Sequence, residues 1–358
     1  MARPLHIIEP TLASDSGHCH SLVRALAHAA RECDITVWAS RAAPPAWPGP
    51  GRLVPHFQRR WRRLQAFWLY RRLLRQPGTL LVATAGTADL VLAGWAAPGR
   101  IQAHKLFMFV HWLGGKAAKA RRLSAIARRQ PNIEILAPTA TVADFFAACG
   151  FRATLVPYPL ALPDAPAAPQ APVFRHLLVA GGARIDKGFD RVVDLVIEMQ
   201  RRGLALPITV QTSFEARHQH DPVLAQQINR LRQAGYGALT LCDQAMGPAA
   251  YRALFDGALV LQPYRAAEFR DRVSGVTLDA LSAGAPVVVS DGTWMADLVR
   301  RFDAGVATHD LSPSGLLAAI HPVLADHAHF AARARAAAAS VQADHSAKRL
   351  LDVVLQRA

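Results

Sequence analysis

Gln262-Pro-Tyr264-Arg-Ala-Ala-Glu-Phe-Arg-Asp271-Arg-Val-Ser274-Gly275-Val-Thr-Leu-Asp279-Ala-Leu-Ser-Ala-Gly284-Ala-Pro286-Val-Val-Val-Ser290 encodes, in order, a strand end, a charged loop, a helix, a glycine stop and a β-branched strand. A helix opening at Ser274-Gly275 turns the amides of Ser274, Gly275 and Val276 and its positive dipole end toward the crevice before it, which is the geometry of an anion site. Asp279, one turn later, is placed to accept hydrogen bonds from hydroxyls such as those of a ribose. Upstream, Gly181-Gly182-Ala-Arg184-Ile-Asp-Lys187-Gly188 follows a strand pattern at 176–180. Its Arg184 and Lys187 supply cations suited to a diphosphate.

The same alternation extends outward in both directions. Strand patterns at 208–212, 239–242, 259–261 and 287–290 interleave with helical ones at 189–202, 223–235, 249–255 and 276–283. Before them, Val156-Pro157-Tyr158-Pro159 begins a run with prolines at 163, 166, 169 and 172, which excludes helix and central strand and reads as a linker over 157–172. The amino-terminal half opens as βαβ, with strands at 5–9 and 35–39 around a helical pattern, and further strands are expected at 79–83, 106–110, 133–137 and 153–156. The expected fold class is therefore α/β, with two Rossmann-like parallel-sheet domains facing each other across a cleft, at 1–156 and 173–340. A last helix over 341–358 is expected to pack back towards the first domain.

Composition limits what such a chain can be. Of 358 residues, 51% are hydrophobic and 19% charged, a globular balance. Cys19, Cys33, Cys149 and Cys242 lack metal or CxxC spacing and read as small buried hydrophobes. The first residues reach Glu9 too soon for a secretory core, and the apolar run from Thr79 to Pro98 carries Asp89 and Gly86, so a strand and a helix are expected there rather than a membrane span. A cytoplasmic location is the expectation.

The net charge of +15 is not spread evenly. Ile35 to Ile133 holds 17 basic residues against one acid, Asp89, so this segment carries essentially the whole excess. Arg59, Arg60, Arg62, Arg63, Arg71, Arg72 and Arg75 interleave with Phe57, Trp61, Leu64, Phe67, Trp68 and Leu69, and helical spacing at 57, 61, 64 and 68 predicts one aromatic stripe flanked by guanidinium groups. A second cluster comprises Lys116, Lys119, Arg121, Arg122, Arg128 and Arg129. Two readings stand side by side: a helix lying on anionic lipid, or a solvated arginine face whose aromatics turn inward.

Arg184…Lys187-Gly188, the Asp271-x7-Asp279 spacing and the following Ala-Gly-Ala-Pro-Val-Val resemble the retaining GT-B glycosyltransferases, in particular the group called family 4, or glycosyl transferases group 1. Residues 137–162 resemble that family's strand, helix and Val-Pro-Asn-Gly junction, with Tyr158-Pro159 where Asn-Gly is usual. The carboxylates are Asp where the family more often has Glu. The resemblance implies transfer of a sugar, with retention, from a nucleotide-diphosphate donor held by the second domain to an acceptor held by the first. Arg184 and Lys187 would neutralise the leaving diphosphate, the amides of Ser274, Gly275 and Val276 would bind its oxygens, and Asp279 would hold the ribose. Asp271 would face the donor sugar, Tyr264 would line that pocket, and the Gly17 loop would let backbone approach the phosphates.

His111 in Val-His111-Trp-Leu-Gly114 follows a strand and resembles the family's cleft histidine; His18 and His20 rank behind it. No Asp-x-Asp occurs in the sequence, so neither a metal nor a cofactor is expected. The basic segment 35–133 suggests an anionic membrane face and a saccharide or lipid-linked acceptor, as in cell-surface polysaccharide or lipopolysaccharide synthesis, with the protein peripheral at the inner face of the cell membrane. Two alternatives remain: a nucleotide-sugar epimerase or hydrolase on the same fold, and a basic nucleic-acid-binding protein, for which no recognisable module is present.

Overall fold

A computed structural model describes residues 2–14, 18–44, 46–112, 117–160, 173–213, 221–244 and 246–356. The chain divides into two compact units, Met1–Pro163 with Asp344–Ala358, and Asp164–Ala343. Each is a parallel sheet with helices between its strands.

In the first unit the strands are β1 (Pro4–Glu9), β2 (Asp34–Ser40), β3 (Arg52–Phe57), β4 (Thr79–Val82), β5 (Leu106–Phe109), β6 (Ile133–Ala137) and β7 (Arg152–Leu155). They pair in the order β3-β2-β1-β4-β5-β6-β7. The intervening helices are α1 (His18–Ala29), α2 (Arg62–Leu73), α3 (Thr87–Ala96), α4 (Ala117–Arg129) and α5 (Ala140–Ala148). β4, β5 and β6 are buried at every position, as a parallel strand covered on both faces must be. β3 was not foreseen because Pro55 interrupts it, and an edge strand is where a missing backbone donor is tolerated. Its end also corrects the expected aromatic stripe: Phe57 closes β3 and is buried, so the stripe on α2 begins only at Trp61.

The second unit has strands β8 (His176–Val179), β9 (Ile208–Gln211), β10 (Leu239–Cys242), β11 (Ala258–Gln262), β12 (Val287–Ser290) and β13 (Gly305–Thr308), paired in the order β10-β9-β8-β11-β12-β13. Its helices are α6 (Phe189–Arg201), α7 (Pro222–Gln233), α8 (Pro248–Ala253), α9 (Ala266–Phe269), α10 (Gly275–Ser282), α11 (Trp294–Phe302), α12 (Pro313–Ala325) and α13 (His327–Asp344). Phe189, Val192, Val193, Val196 and Met199 recur at three- and four-residue spacing and bury one face of α6. The short helix α9 occupies part of the loop that sequence patterning left irregular. After Asp344 the chain returns to the first unit as α14 (Ala347–Gln356), which packs on α1, so the expected single terminal helix over 341–358 is instead the end of α13 followed by α14.

In both sheets the strand order reverses direction once, at β1/β4 and at β8/β11, and the crevice outside the carboxyl ends at such a reversal is where open parallel sheets take ligands. Gly188 shows how tightly the second crevice is built. It holds φ +70° at the start of α6, and a Cβ there would lie 2.0 Å from the carbonyl oxygen of Pro263. Gly188→Ala is expected to cost about 2–4 kcal/mol, from left-handed backbone strain plus displacement of the β11 end. Urea unfolding checks this, and a loss under about 0.5 kcal/mol refutes it.

Candidate functional site

The end of β8 leads into Gly181-Gly182, the 3-10 turn Ile185–Lys187 and then α6. Gly181 has φ +83°, and a Cβ on it would sit 2.9 Å from both the Lys187 ammonium nitrogen and Val276 Cγ2. Lys187, the β8 loop and the first turn of α10 therefore meet at one point. Arg184, Lys187, Gln211 and Tyr264 line a small open pocket with Gly181 and Gly182. The Lys187 ammonium lies 5.8 Å from the centre of the Tyr264 ring, and the Gly181 amide donates to Gln211 Oε1 at 2.8 Å.

Arg184 reaches this pocket already partnered. Its guanidinium donates in a two-pronged manner to Asp186, with Nε to Oδ1 at 2.8 Å, and Arg272 approaches the same carboxylate at 3.3 Å. Burial opposes ionisation of Asp186, but the hydrogen bond and charge of Arg184, with Arg272 and Lys187 behind them, outweigh it and hold its pKa below the usual carboxylate value.

The start of α10 is fixed by a buried polar network. Ser274 caps the helix and accepts from the Thr277 amide at 3.4 Å. Gln262 Nε2 donates to Tyr264 Oη at 3.2 Å and to Ser274 Oγ at 3.1 Å, and Gln262 Oε1 accepts from the Thr277 hydroxyl at 2.7 Å. Burial pushes the Tyr264 phenol up to about 12. Gly275 and Val276 thus present the first amides of α10 from a rigid mount.

One turn along α10, Asp279 accepts from Tyr251 Oη at 3.2 Å. Burial raises its pKa from 3.8 to about 6, against a smaller lowering by that hydrogen bond, and burial likewise raises the Tyr251 phenol well above its ordinary range. Asp271 lies in the turn between α9 and α10, half-buried and outside the pocket lining. Gln211, Tyr251, Gln262 and Thr277 had not been singled out. The available signal for Gln262 was a polar residue ending an apolar strand.

In the first unit, His111 stands two residues beyond β5. Its Nε2 is 2.9 Å from the Ala83 carbonyl oxygen, and its ring packs against Phe109 at 4.3 Å and Tyr158 at 5.1 Å. Tyr158 is itself anchored, because its carbonyl is 2.9 Å from His345 Nδ1 and the neighbouring Leu160 amide donates to the His345 carbonyl. The residue standing where the family has Asn thus walls the candidate histidine. Gly17 lies outside the described residues.

No protein-family model matches the sequence, and no curated protein matches it. Solved structures do. Sucrose-phosphate synthase from Thermosynechococcus elongatus aligns over 99% of this chain and 97% of its own, with TM-score 0.66 and 16% identity. WaaG, a glycosyltransferase involved in lipopolysaccharide biosynthesis, aligns over 98% and 99%, with TM-score 0.69 and 15% identity. Anabaena HepE, solved with UDP and glucose, aligns over 99% of both chains, with TM-score 0.68 and 15% identity. The chain has the GT-B fold. At these identities the likeness is one of architecture, and the pocket lined by Lys187 and Tyr264 follows β8 and β11, the two strands at the reversal of the second sheet.

The raised pKa of Asp279 fixes the sign of a stability effect. Its folded value exceeds its unfolded one, so its contribution is fully present below about pH 3.8 and is lost as pH rises through about 6. Relative to Asp279→Asn, the wild-type protein is expected to lose on the order of 1–2 kcal/mol between pH 4 and pH 7. Denaturant titrations at both pH values measure it, and a wild-type gain over that range contradicts the assignment.

Proposed function

We propose that this protein is a glycosyltransferase that moves a sugar, with retention, from a nucleoside-diphosphate sugar to a saccharide or lipid-linked acceptor at an anionic membrane surface, in the synthesis of cell-surface polysaccharide or lipopolysaccharide. The observation that carries the reading is the meeting of Gly181, Lys187 and the Val276 side chain in the first turn of α10, which sets a cation that lines an open crevice beside a helix start. Such a place suits a diphosphate, and HepE was solved with UDP.

In this reading the donor diphosphate lies against Lys187 and the amides of Gly275 and Val276, and Asp279 receives the ribose hydroxyls in place of, or together with, the Tyr251 phenol. Tyr264 walls the pocket beneath Lys187. As the glycosidic bond lengthens, negative charge grows on the leaving phosphate oxygen, and fixed donors stabilise that charge more than they stabilise the ground state. The leaving oxygen takes the acceptor proton on the same face of the sugar, which gives retention without a carboxylate pair. His111 and Asp271 are assigned to the sugar being transferred. The charge is met by protein groups, so no metal is required.

The basic segment supports a lipid surface. On α2, Ala66, Leu69, Tyr70 and Leu73 face the core while Trp61, Leu64 and Trp68 face outward, with Trp68 59% exposed. α3 packs between α2 and α4 and adds Trp95, 56% exposed, with the Arg129 guanidinium 4.5 Å from its ring centre. Arg60 lies 5.4 Å from the Trp61 ring. The inward-packing reading of these tryptophans does not fit that exposure. Exposed tryptophan with arginine is the composition of a surface that rests in a headgroup layer. No helix among the described residues is long and apolar enough to cross a membrane.

Thermal-shift titration with UDP, GDP, ADP and TDP is expected to raise the melting temperature with at least one of them, unchanged by EDTA, and Lys187→Ala to weaken that ligand about tenfold or more. No shift with any of the four would end the donor reading, and free-sugar release without acceptor would favour a hydrolase. Separately, flotation with phosphatidylglycerol vesicles at low salt is expected to carry the wild-type protein, and Trp61→Ser/Trp68→Ser to reduce the bound fraction several-fold. Equal flotation of both proteins, or binding to DNA instead, removes the membrane assignment.

A further inference from the structure

We infer that the carboxyl ends of β1 and β4 form a hydroxyl-recognition subsite, in which Thr11 and Thr84, oriented by the carboxyl of Glu9, accept hydrogen bonds from neutral hydroxyls of a saccharide or polyol. This deepens the proposed function and rests on the first unit holding the acceptor.

Glu9 ends β1 beside the reversal point of the sheet and is completely buried. Its Oε1 accepts from the Thr11 amide at 3.0 Å and the Thr11 hydroxyl at 2.5 Å, and its Oε2 accepts from the Thr84 hydroxyl at 2.5 Å. Thr84 stands two residues beyond β4, and Thr11 two beyond β1. Glu9 is buried, Thr84 half-buried and Thr11 exposed, so the carboxyl forms the floor and the hydroxyls form the surface. Ala83, next to Thr84, carries the carbonyl that His111 Nε2 meets at 2.9 Å, so the same strand end bears both the hydroxyl and the imidazole.

The proton count gives the specificity. A hydroxyl has one proton to donate and lone pairs to accept with. Thr11 and Thr84 donate their protons to Glu9, so each oxygen keeps lone pairs to accept with; Cys19 Sγ, 3.3 Å from the Thr11 oxygen, engages one of these, and the other matches a ligand that donates. Sugar hydroxyls do that, whereas carboxylate oxygens do not at neutral pH. Burial raises the pKa of Glu9, and the Asp89 carboxyl, held by the Gly86 amide at 2.9 Å and the Tyr70 hydroxyl at 3.1 Å and itself raised by burial, raises it further. The groups that shift it are two hydroxyls, an amide and a second carboxyl, a setting that offers a phosphate no counter-charge and suits a neutral polyol. A carboxyl withdrawn from water is costly to keep, and one placed under strand-end hydroxyls at a ligand crevice is a candidate for function. Glu9 acts through the threonines and is a positioning residue; the threonines touch the ligand.

The test uses the full chain and saturation-transfer NMR, with methyl α-glucoside and myo-inositol as neutral probes and inorganic phosphate as the charged one. The wild-type protein is expected to bind at least one neutral probe, unaffected by phosphate. Thr11→Val, at an exposed position that leaves the core untouched, and Thr84→Val are each expected to weaken it about fivefold or more, while Thr84→Ser restores it. Binding that is equal in wild type and both valine variants, absent from wild type for both probes, or competed away by phosphate overturns the inference. Thermal shifts with UDP, GDP, ADP and TDP on the same proteins test the second unit. Their absence in wild type with all four sinks the donor reading, and a shift with any of them beside failed polyol binding sinks only this one.

Discussion

The second unit's crevice depends on one carboxamide. Gln262 ends β11, and its amide holds Tyr264, Ser274 and Thr277 together with every group buried, so the end of a central strand and the first turn of α10 cannot move independently. A hydrocarbon of the same size would take this partner from two hydroxyls and a phenol in the interior, at about 1–3 kcal/mol for each group left unsatisfied. From the other side, Gly188 lets the start of α6 approach Pro263 more closely than any side chain allows. Between these two constraints Lys187 is set against Tyr264 and opposite Val276. The fixed amides of α10 and the cation are thus in place before any ligand arrives, which is the condition under which donors stabilise developing charge without reorganisation.

The Arg184–Asp186–Arg272 group explains how that crevice tolerates its own charge. Arg184, Arg272 and Lys187, three cations near one another, would repel strongly in a half-buried place, and Asp186 between the two guanidinium groups offsets much of this. Its lowered pKa is the measure of how firmly it stays ionised. In the proposed reading a diphosphate, which brings more negative charge than one carboxylate, would compete for the same guanidinium groups. Arg184 would then be shared between Asp186 and the ligand rather than act as a dedicated clamp.

What could be read from the letters was whatever the backbone period imposes. Val287–Ser290, Leu239–Cys242 and the helix of α10 fall where apolar runs and glycine stops put them, and Arg184, Lys187 and Tyr264 reach one pocket because strand ends at a sheet reversal must converge. What was hidden depends on tertiary pairing. β3 carries a proline, Arg184 owes its geometry to a carboxylate two residues away, and Tyr251 meets Asp279 from another helix. Glu9 looked like the polar end of a short strand; only the register that brings Thr84 beside it shows that its carboxyl is capped by hydroxyls. Phe57 illustrates the opposite error, in which an apolar spacing of four was carried past a strand boundary.

The first unit combines two surfaces of different character, and in the proposed reading the combination narrows the acceptor. Its outer helices carry arginines against exposed tryptophans, the proposed surface for anionic headgroups, while the ends of β1 and β4 bury Glu9 beneath threonine hydroxyls, the proposed surface for neutral hydroxyls. In that reading a free phosphorylated sugar would satisfy neither place, since the strand ends offer its phosphate no counter-charge and it has no apolar part for the tryptophans. A molecule with a neutral glycosyl end and an anionic, lipid-embedded end satisfies both, because each end meets the potential of the opposite sign or of none. Coulomb attraction to a bilayer would be screened beyond about 10 Å in ordinary salt, so in this reading the helices would act only at the surface and would leave recognition of the acceptor hydroxyl to the strand-end oxygens.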